Sequence, residues 1–286
     1  MQTQNRRLGP LETKFFSWAQ SRRIKRIRTG DLVKFLAFTP KQEADLLTNM
    51  GKSGLIVQLM RGYYLVPERL PPGGRWTPSP YLILKSLMQE LQAQYQITGL
   101  SAFNAYGFET QIPNEICVYN TVLSGRRKIA GLSFQFVKVV PTRIGGTRVF
   151  NLREDSEADA QGVMSSEPRA LLDAIYDYSR FNTLPRAYLW IAAKKSDNEL
   201  LAKLTQMSIE YGNVSTRRRL GYLFEHLKIN PKLVAKLKKS VLGTTSFIPF
   251  VPEKKPRGTT NRKWGLVVNY RVSSEEIKND KIKRSN

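Results

Sequence analysis

The sequence predicts an α+β protein in which an N-terminal winged helix-turn-helix is followed by a mixed α+β C-terminal domain. Residues 11–51 hold three segments with helical spacing of apolar residues, and residues 55–66 hold two β-rich runs joined by Arg61-Gly62. Beyond a Pro/Gly-rich cluster, strand and helix patterns are mixed. The expected divisions are a DNA-binding domain at 1–70, a linker at 71–80, an α+β domain at 81–272 and a flexible basic tail at 273–286.

The three N-terminal helices are indicated by spacing and by their ends. The first carries its apolar residues in LETKFFSWAQ, and Thr29 precedes the second, DLVKFLAF. In the third, TPKQEADLLTNMGKSG, Thr39 is the expected N-cap, Gln42 completes a capping box and Gly51 stands where a C-cap glycine belongs. Three helices followed by a hairpin is the order of elements in a winged helix-turn-helix.

In that fold the third helix enters the major groove of DNA, so its polar side must be free of packing duty. Spacing places Ala44, Leu46, Leu47 and Met50 on the apolar side. The polar side is expected to hold Lys41, Gln42, Asp45, Thr48, Asn49 and Lys52. An ordinary solvated face, with Lys41 and Asp45 paired, is the competing interpretation.

The C-terminal region is harder to assign. Helices are expected at 81–95 and 97–107, strands in EICVYNTV, LSFQFVKVV and TRVFNL, and helices in EPRALLDAIYDYSRF, NELLAKLTQMSIEY and RRRLGYLFEHL. Ser196 and Glu199 are expected to cap the second of these helices. Gly221 interrupts the last one, which suggests close packing against a neighbour. Residues 265–270 are expected to add a strand.

The charge of the chain points to an anionic partner. Its 46 Lys and Arg residues against 23 Asp and Glu residues give a net charge of +23. Residues 1–70 hold 13 basic and 5 acidic residues, and residues 217–263 hold 13 basic and 2 acidic residues. Two separate basic regions favour nucleic acid over a membrane surface, since no helix combines a basic face with a face rich in Trp and Phe.

Several classes of protein are disfavoured. One cysteine and one histidine provide neither a disulfide framework nor a zinc site, and no run of 18 apolar residues occurs, so we expect a cytoplasmic protein. GKS at 51–53 ends a helix instead of opening one, unlike a phosphate-binding loop. The acidic run 154–159 is expected to be a solvated loop, and lone His226 has no catalytic partner at a recognisable spacing. No catalytic residue, metal or cofactor is therefore expected.

The segment STRRRLGYLFEHL raises a separate question, because three arginines open a helix where cations oppose the helix dipole. Helical spacing from the apolar stripe predicts that Arg217, Arg218 and Arg219 face outward, with Tyr222 beside them, and that Ser215 or Thr216 caps the helix. Their anionic neighbour could be the chain's own carboxylates, nucleic acid or an acidic protein face.

Five segments together resemble the AbiEi family, the antitoxins of bacterial abortive-infection type IV toxin–antitoxin systems. They are LMRGYYLVP, TGLSAFNAYGF, SSEPRALLDAI, STRRRLGYLFEHL and WGLVVNYR, and they span most of the chain in order. The resemblance implies a repressor that binds inverted repeats in its own promoter and counteracts a nucleotidyltransferase-like toxin through its C-terminal domain. The third arginine, the long basic tail and His226 depart from the family pattern.

The expected partners are double-stranded promoter DNA and that toxin, with the chain a monomer or weak dimer in solution and two copies on DNA. The residues expected to contact DNA are Arg22, Arg23, Lys25, Arg26, Arg28, Lys41, Gln42, Thr48, Asn49, Lys52 and Arg61. Arg217, Arg218, Arg219 and Tyr222 are expected to form the antitoxin surface, or to extend the DNA-contacting one. Two other classes stay open: a regulator with a ligand-sensing or dimerisation domain and no toxin, and an RNA-processing enzyme.

Overall fold

The structure, a computed structural model, describes residues 7–71, 74–151, 161–241, 246–273 and 276. Within these residues it is an α+β fold with eleven α-helices and three sheets. The acidic run 154–159 and all of the expected tail except residues 273 and 276 lie outside the described residues. The chain divides into two compact units, Met1–Gln94 with Ser124–Gln135 and Val149–Gly162, and Tyr95–Leu123 with Phe136–Arg148 and Val163–Asn286.

The first unit begins with three helices and a hairpin at the predicted places. Its elements are α1 (Pro10–Ser21), β1 (Arg26–Arg28), α2 (Asp31–Leu36), α3 (Pro40–Ser53), β2 (Val57–Met60), β3 (Tyr63–Leu65) and α4 (Pro80–Glu90). The strands form an antiparallel sheet in the order β1-β3-β2. A single apolar core is shared by the three helices and includes Phe15, Leu32, Leu47 and Met50.

One end of α3 differs from the sequence prediction. The helix continues through Gly51 and ends at Gly54, whose φ of 74° lies in the left-handed region that glycine adopts without strain. Gly51 is therefore an interior residue of the helix, and no heavy atom lies within 4 Å of a Cβ built on it. Segment 71–80, the expected linker, lies inside the first unit.

The remaining elements contain a six-stranded sheet in the order β6-β7-β5-β4-β9-β8. Its strands, with helix α5, are β4 (Tyr95–Thr98), α5 (Leu100–Ala105), β5 (Ile116–Asn120), β6 (Gly125–Ile129), β7 (Leu132–Lys138), β8 (Thr147–Asn151) and β9 (Gln161–Ser165). Residues 95–98, expected to be partly helical, form a strand because Ile97 pairs with Val118 of β5 and Met164 of β9. Cys117 is a buried residue of β5.

Helices and a small sheet complete the second unit. They are α6 (Glu167–Tyr176), α7 (Tyr178–Phe181), α8 (Arg186–Ala193), α9 (Asn198–Tyr211), α10 (Val214–His226), α11 (Pro231–Lys239), β10 (Ile248–Pro249), β11 (Thr259–Asn261) and β12 (Leu266–Val268). Asp197, not Ser196, caps α9 by accepting a 2.9 Å hydrogen bond from the Leu200 N–H. Asn213, not Ser215 or Thr216, caps α10. Strand β12 confirms the strand expected at 265–270.

Candidate nucleic-acid interface

Helix α3 begins with the predicted capping box. The Thr39 hydroxyl accepts a hydrogen bond of 3.2 Å from the backbone N–H of Gln42, and the Gln42 side-chain oxygen accepts one of 2.9 Å from the backbone N–H of Thr39. These bonds satisfy N–H groups that the first turn of a helix leaves without partners. Because its oxygen is engaged in the cap, Gln42 retains only its side-chain NH₂ group as a donor to a ligand.

Glu43 holds α3 against α2, a role that the spacing analysis missed. Ala44 was predicted to lie on the buried side, but it is exposed, whereas Glu43 is only 2% exposed. The Glu43 carboxylate accepts hydrogen bonds from the backbone N–H groups of Gly30 (2.7 Å) and Leu32 (2.8 Å), at the start of α2. A carboxylate is favoured there because the N–H groups otherwise lack partners. Helical spacing from the buried apolar residues of α3 was the available signal.

The opposite side of α3 is an exposed polar face. Lys41, Thr48, Asn49 and Lys52 are exposed, and within the described part of the chain their side chains make no hydrogen bond or ion pair. The pairing of Lys41 with Asp45, which the competing interpretation offered, is also absent among the described residues. Asn can bind an adenine edge through two hydrogen bonds, Thr can bond to bases, and Lys can bind phosphate or guanine. The face is therefore chemically suited to a DNA groove.

The β2–β3 hairpin presents one cation at its tip. Arg61 is exposed in the turn, and Gly62 has a φ of 73° that favours glycine. The Gly62 carbonyl accepts a 2.9 Å hydrogen bond from the Thr29 N–H, which ties the turn to the segment before α2. Arg61 thus extends from a turn whose backbone is fixed.

The basic segment 22–28, whose five cations are expected to contact DNA, is only partly available to an external anion. Lys25 pairs with Glu68 at 2.5 Å, and Arg26 donates to the Gln89 side chain at 2.7 Å. The five cations of this segment are Arg22, Arg23, Lys25, Arg26 and Arg28. Only Arg22 and Arg23 are exposed without a partner in the described residues.

Arg28 forms an exposed ion pair. Its guanidinium lies 2.8 Å from the Glu90 carboxylate, and this hydrogen bond raises the pKa of Arg28 above its ordinary value. Exposed ion pairs of this kind contribute little to stability and can exchange partners with a phosphate. Arg26 and Arg28 can therefore reach DNA only by giving up partners at the end of α4.

The arginines of α10 do not face outward, which corrects the predicted antitoxin surface. Arg218 is 2% exposed and Arg219 is 6% exposed. The Arg218 guanidinium donates to the carbonyls of Trp264 at 2.6 Å and Ser246 at 2.5 Å, and also to that of Gly265. Burial, with the charge of Arg219 as a second cause, lowers the pKa of Arg218, yet an arginine stays charged at neutral pH.

Arg217 and Arg219 also bind backbone carbonyls. Arg217, which is half-buried, donates to Ser240 at the C-terminal end of α11 at 3.0 Å. Arg219 makes a long 3.4 Å contact with the Pro249 carbonyl, and its guanidinium lies 5.3 Å from the centre of the Tyr178 ring. Among the described residues, the hydrogen-bond acceptors of all three arginines are therefore peptide oxygens of this unit. Arg218 and Arg219 hold the segment from 246 to 265 against α10, and Arg217 links α10 to the end of α11.

Gly221 confirms the predicted close packing in α10. A Cβ at this position would lie 2.2 Å from two atoms of the Trp264 ring, so only glycine fits under the indole. The indole N–H donates to the Glu225 carboxylate at 2.7 Å, and Lys263 pairs with the same carboxylate. Tyr222 is partly buried, its ring centre 4.9 Å from that of Phe250. The Tyr222 ring therefore belongs mainly to the packing of this region.

A group of exposed cations of the second unit lies on α11 and the loops around it. Lys232, Lys236 and Lys239 recur at i, i+4 and i+7 and share one face of α11. On α11 and the loops around it, the cations that are exposed and have no partner among the described residues are Lys228, Lys232, Lys236, Lys239, Lys255, Arg257 and Arg262. The amphipathic spacing in PKLVAKLKK was the available signal for this helix.

A buried polar cluster surrounds Asp173 in α6. One carboxylate oxygen accepts from Arg143 at 2.7 Å and Arg169 at 2.9 Å, and the other accepts from Thr98 at 2.7 Å and Ser165 at 3.0 Å. Burial opposes ionisation, but the charges of Arg169 and Arg143 outweigh it and lower the pKa of Asp173. With both oxygens saturated, Asp173 has no vacant site for a substrate. No group of side chains suited to a metal ion occurs in the described residues.

Comparison with known proteins shows the fold alone. No family model matches the chain, and no curated protein matches it. The chain is similar to the crystal structure of the RV2827C protein from Mycobacterium tuberculosis, at 17% identity and a TM-score of 0.54, over 92% of this chain and 92% of that one. The α+β arrangement therefore recurs over nearly the whole length of a distant protein. No described helix is both long and apolar enough to cross a membrane.

Proposed function

We propose that the first three helices and the hairpin are a winged helix-turn-helix that binds duplex DNA. The observation that carries the proposal is the division of α3 into an inner side anchored by Glu43 and apolar residues and an outer side of unpartnered Lys, Thr and Asn residues. In this proposal α3 lies in the major groove and Arg61 contacts the backbone from the wing. Lys41 and Lys52 bind phosphates at the two ends of α3.

The wider proposal rests on the resemblance to the AbiEi antitoxins. The chain is then a cytoplasmic repressor that binds inverted repeats of its own promoter with two copies, and it counteracts a nucleotidyltransferase-like toxin through its C-terminal region. One small reading domain offers little surface for tight binding, which supports two copies per site. The motif pieces RRLGYLFE and WGL support a common architecture, since Arg218, Gly221 and Glu225 all contact Trp264.

The surface proposed for neutralisation moves from the α10 arginines to the α11 lysines. Arg218 and Arg219 are buried, so glutamates at these positions would report on folding instead of toxin binding. The face of Lys232, Lys236 and Lys239 is exposed and unpartnered among the described residues, and it fits an acidic protein surface. In this proposal the lysine face of α11 binds the toxin directly and thereby neutralises it.

DNA binding is tested with the full chain and two duplexes, one from the region upstream of its gene and one of random sequence. Asn49→Ala should weaken binding to the upstream duplex by about 1–3 kcal/mol and leave the random duplex unaffected, because it removes a base contact. Arg61→Ala should weaken both duplexes alike, because it removes a phosphate contact. Fluorescence anisotropy across a range of NaCl concentrations measures both effects.

Two features sharpen this experiment. Gln42→Glu keeps an acceptor for the Thr39 N–H, so it tests the side-chain NH₂ group without removing the cap, whereas Gln42→Ala would remove both. Arg69→Ala, at an exposed position in the same unit, is the control for the loss of one positive charge. Equal losses on both duplexes for Asn49→Ala would refute sequence reading by α3, and binding that does not depend on salt would refute the electrostatic interface.

The competing function is a winged-helix regulator without a toxin partner. The full chain carrying Arg61→Ala and Asn49→Ala should lose operator binding yet still rescue cells that express the neighbouring nucleotidyltransferase-like protein from an independent promoter. Rescue should then fail when Lys232, Lys236 and Lys239 are changed to glutamate and circular dichroism shows an intact fold. If no toxic gene adjoins this one, or if the wild-type chain does not rescue, the regulator without a toxin is favoured.

A further inference from the structure

A depression of about 470 Å³ lies beside α3 in the first unit. It separates the C-terminal half of α3 from the β2–β3 hairpin. Its polar lining comprises Thr48, Lys52, Gln58, Tyr64, Arg75 and Thr77. Lys52 and Arg75 are exposed, and neither has a side-chain partner among the residues that the structure describes. Two cations thus border one polar depression, and no Asp or Glu of the described residues lines it.

Arg75 comes from the segment that the sequence assigns to a linker, yet the backbone holds it at the end of α3. The Trp76 N–H donates to the Gly54 carbonyl at 2.8 Å, and the Gly74 N–H donates to the Pro71 carbonyl at 2.9 Å. A Cβ at Gly54 would lie 2.9 Å from Arg75 Cγ, so the glycine lets the arginine stem cross the helix end. The position of Arg75 is therefore built into the fold.

The arrangement of the DNA grooves predicts which part of a duplex would occupy this depression. The major and minor grooves of a duplex are separated by the sugar–phosphate backbone of one strand. With α3 in the major groove and the hairpin tip beyond its edge, that backbone must run between them, which is where the depression lies. A phosphodiester brings one negative charge and acceptor oxygens only, which matches a lining of two cations with hydroxyl and amide donors.

We propose that this depression is a backbone phosphate site, in which Lys52 and Arg75 bind one phosphodiester of the operator and Thr48 donates to it. The inference rests on the proposed DNA-binding function and adds Arg75, from outside the three helices and hairpin, to the interface. A purely structural role for Arg75 is the competing explanation, since a cation near the C-terminal end of α3 is favoured by the helix dipole. The two explanations differ in their response to salt.

The first measurement is the salt dependence of binding by the full chain to the upstream duplex. For each bound copy, Arg75→Ala should weaken binding about tenfold at low salt and reduce the slope of log K against log salt concentration by about one, because one fewer counterion is released per copy. Arg75→Lys should restore most of the slope. The control, Arg69→Ala, removes the same charge from an exposed position outside the depression and should change neither quantity.

The second measurement locates the phosphate. Duplexes with a single uncharged methylphosphonate linkage are scanned against the wild type and the Arg75→Ala variant. One linkage in each half-site should weaken wild-type binding about tenfold and leave the variant unchanged, since the variant has already lost that contact. The melting temperature of free Arg75→Ala should stay close to that of the wild type.

The outcomes separate this inference from the function on which it rests. If Arg75→Ala behaves like Arg69→Ala, or if the same linkages matter to wild type and variant, the phosphate site is refuted while DNA binding stands. A lower melting temperature with an unchanged salt slope assigns Arg75 a structural role and also refutes the site. If the wild type does not bind duplex DNA, both the proposed function and the phosphate site are refuted.

Discussion

Replacing Gly221 with alanine should destabilise the second unit, although the same change in most helices is favourable. Replacing glycine with alanine in a helix interior ordinarily stabilises the helix by about 1 kcal/mol. Here its Cβ would lie 2.2 Å from Cη2 and Cζ3 of Trp264, and the ring is only 1% exposed, so it has little room to retreat. The hydrogen bond from the indole to Glu225 also holds the ring in place.

The expected magnitude follows from two opposing terms. Overpacking a buried contact costs about 1–3 kcal/mol, and a separation this short places Gly221→Ala at the upper end. Subtracting the stabilisation that alanine gives a helix, about 1 kcal/mol, leaves a net destabilisation of about 2 kcal/mol. Urea unfolding followed by circular dichroism measures the change as a shift of the midpoint at constant slope.

Gly51→Ala is the matched control, because Gly51 is also inside a helix and has no atom within 4 Å of a built Cβ. It should stabilise its unit by about 0.5–1 kcal/mol. In a Trp264→Leu background, Gly221→Ala should likewise become stabilising, because the ring that opposes the methyl group is gone. A Gly221→Ala variant that is as stable as Gly51→Ala, or effects of Gly221→Ala that are equal in both backgrounds, would refute the packing of Trp264 on α10.

The remaining predictions concern the buried arginines and Asp173. Arg218→Met should destabilise the fold by about 2–4 kcal/mol in urea unfolding, since three carbonyls lose a charged donor. Arg217→Met removes one partly buried bond to Ser240 and one long, exposed bond to Asn213, so it should cost under about 1 kcal/mol. Asp173→Asn should cost about 3–5 kcal/mol at neutral pH because it leaves Arg143 and Arg169 buried without their carboxylate. The pKa of Asp173 is lowered on folding, so its stabilisation is present above the ordinary aspartate pKa of about 3.9 and is lost as the pH falls through the folded value. Stability measured against pH should therefore fall less steeply in acid for Asp173→Asn than for the wild type, and parallel curves would contradict this.

Local signals account for the features that the sequence predicted correctly. Thr39 and Gln42 form the capping box because the whole interaction lies within four residues. The turn Arg61-Gly62 likewise contains its own signal, a glycine with positive φ between two β-rich runs. The packing inferred from Gly221 needed only the cost of glycine inside a helix, although its partner, Trp264, could not be named.

The errors have non-local causes. Residues 95–98 are a strand because β5 and β9 pair with them, and four residues, YQIT, are too few to distinguish a strand from a turn of helix by the spacing of apolar residues. Arg218 was placed outside because helical spacing reports only on apolar residues of its own helix, whereas its carbonyl partners lie at 246, 264 and 265. Arg75 was overlooked because proline and glycine around it indicated a linker.

If α3 reads DNA as proposed, its anchoring by Glu43 determines how the preferred DNA sequence changes in evolution. Glu43 and the buried apolar residues set the angle of α3, whereas Thr48 and Asn49 on the outer face contribute nothing to that anchor. Outer residues can therefore be exchanged, as in a transplanted recognition helix, without repacking the domain. New operator preferences would then need only a few substitutions, each tolerated on its own, and a related chain could diverge in target while Glu43 stays in place.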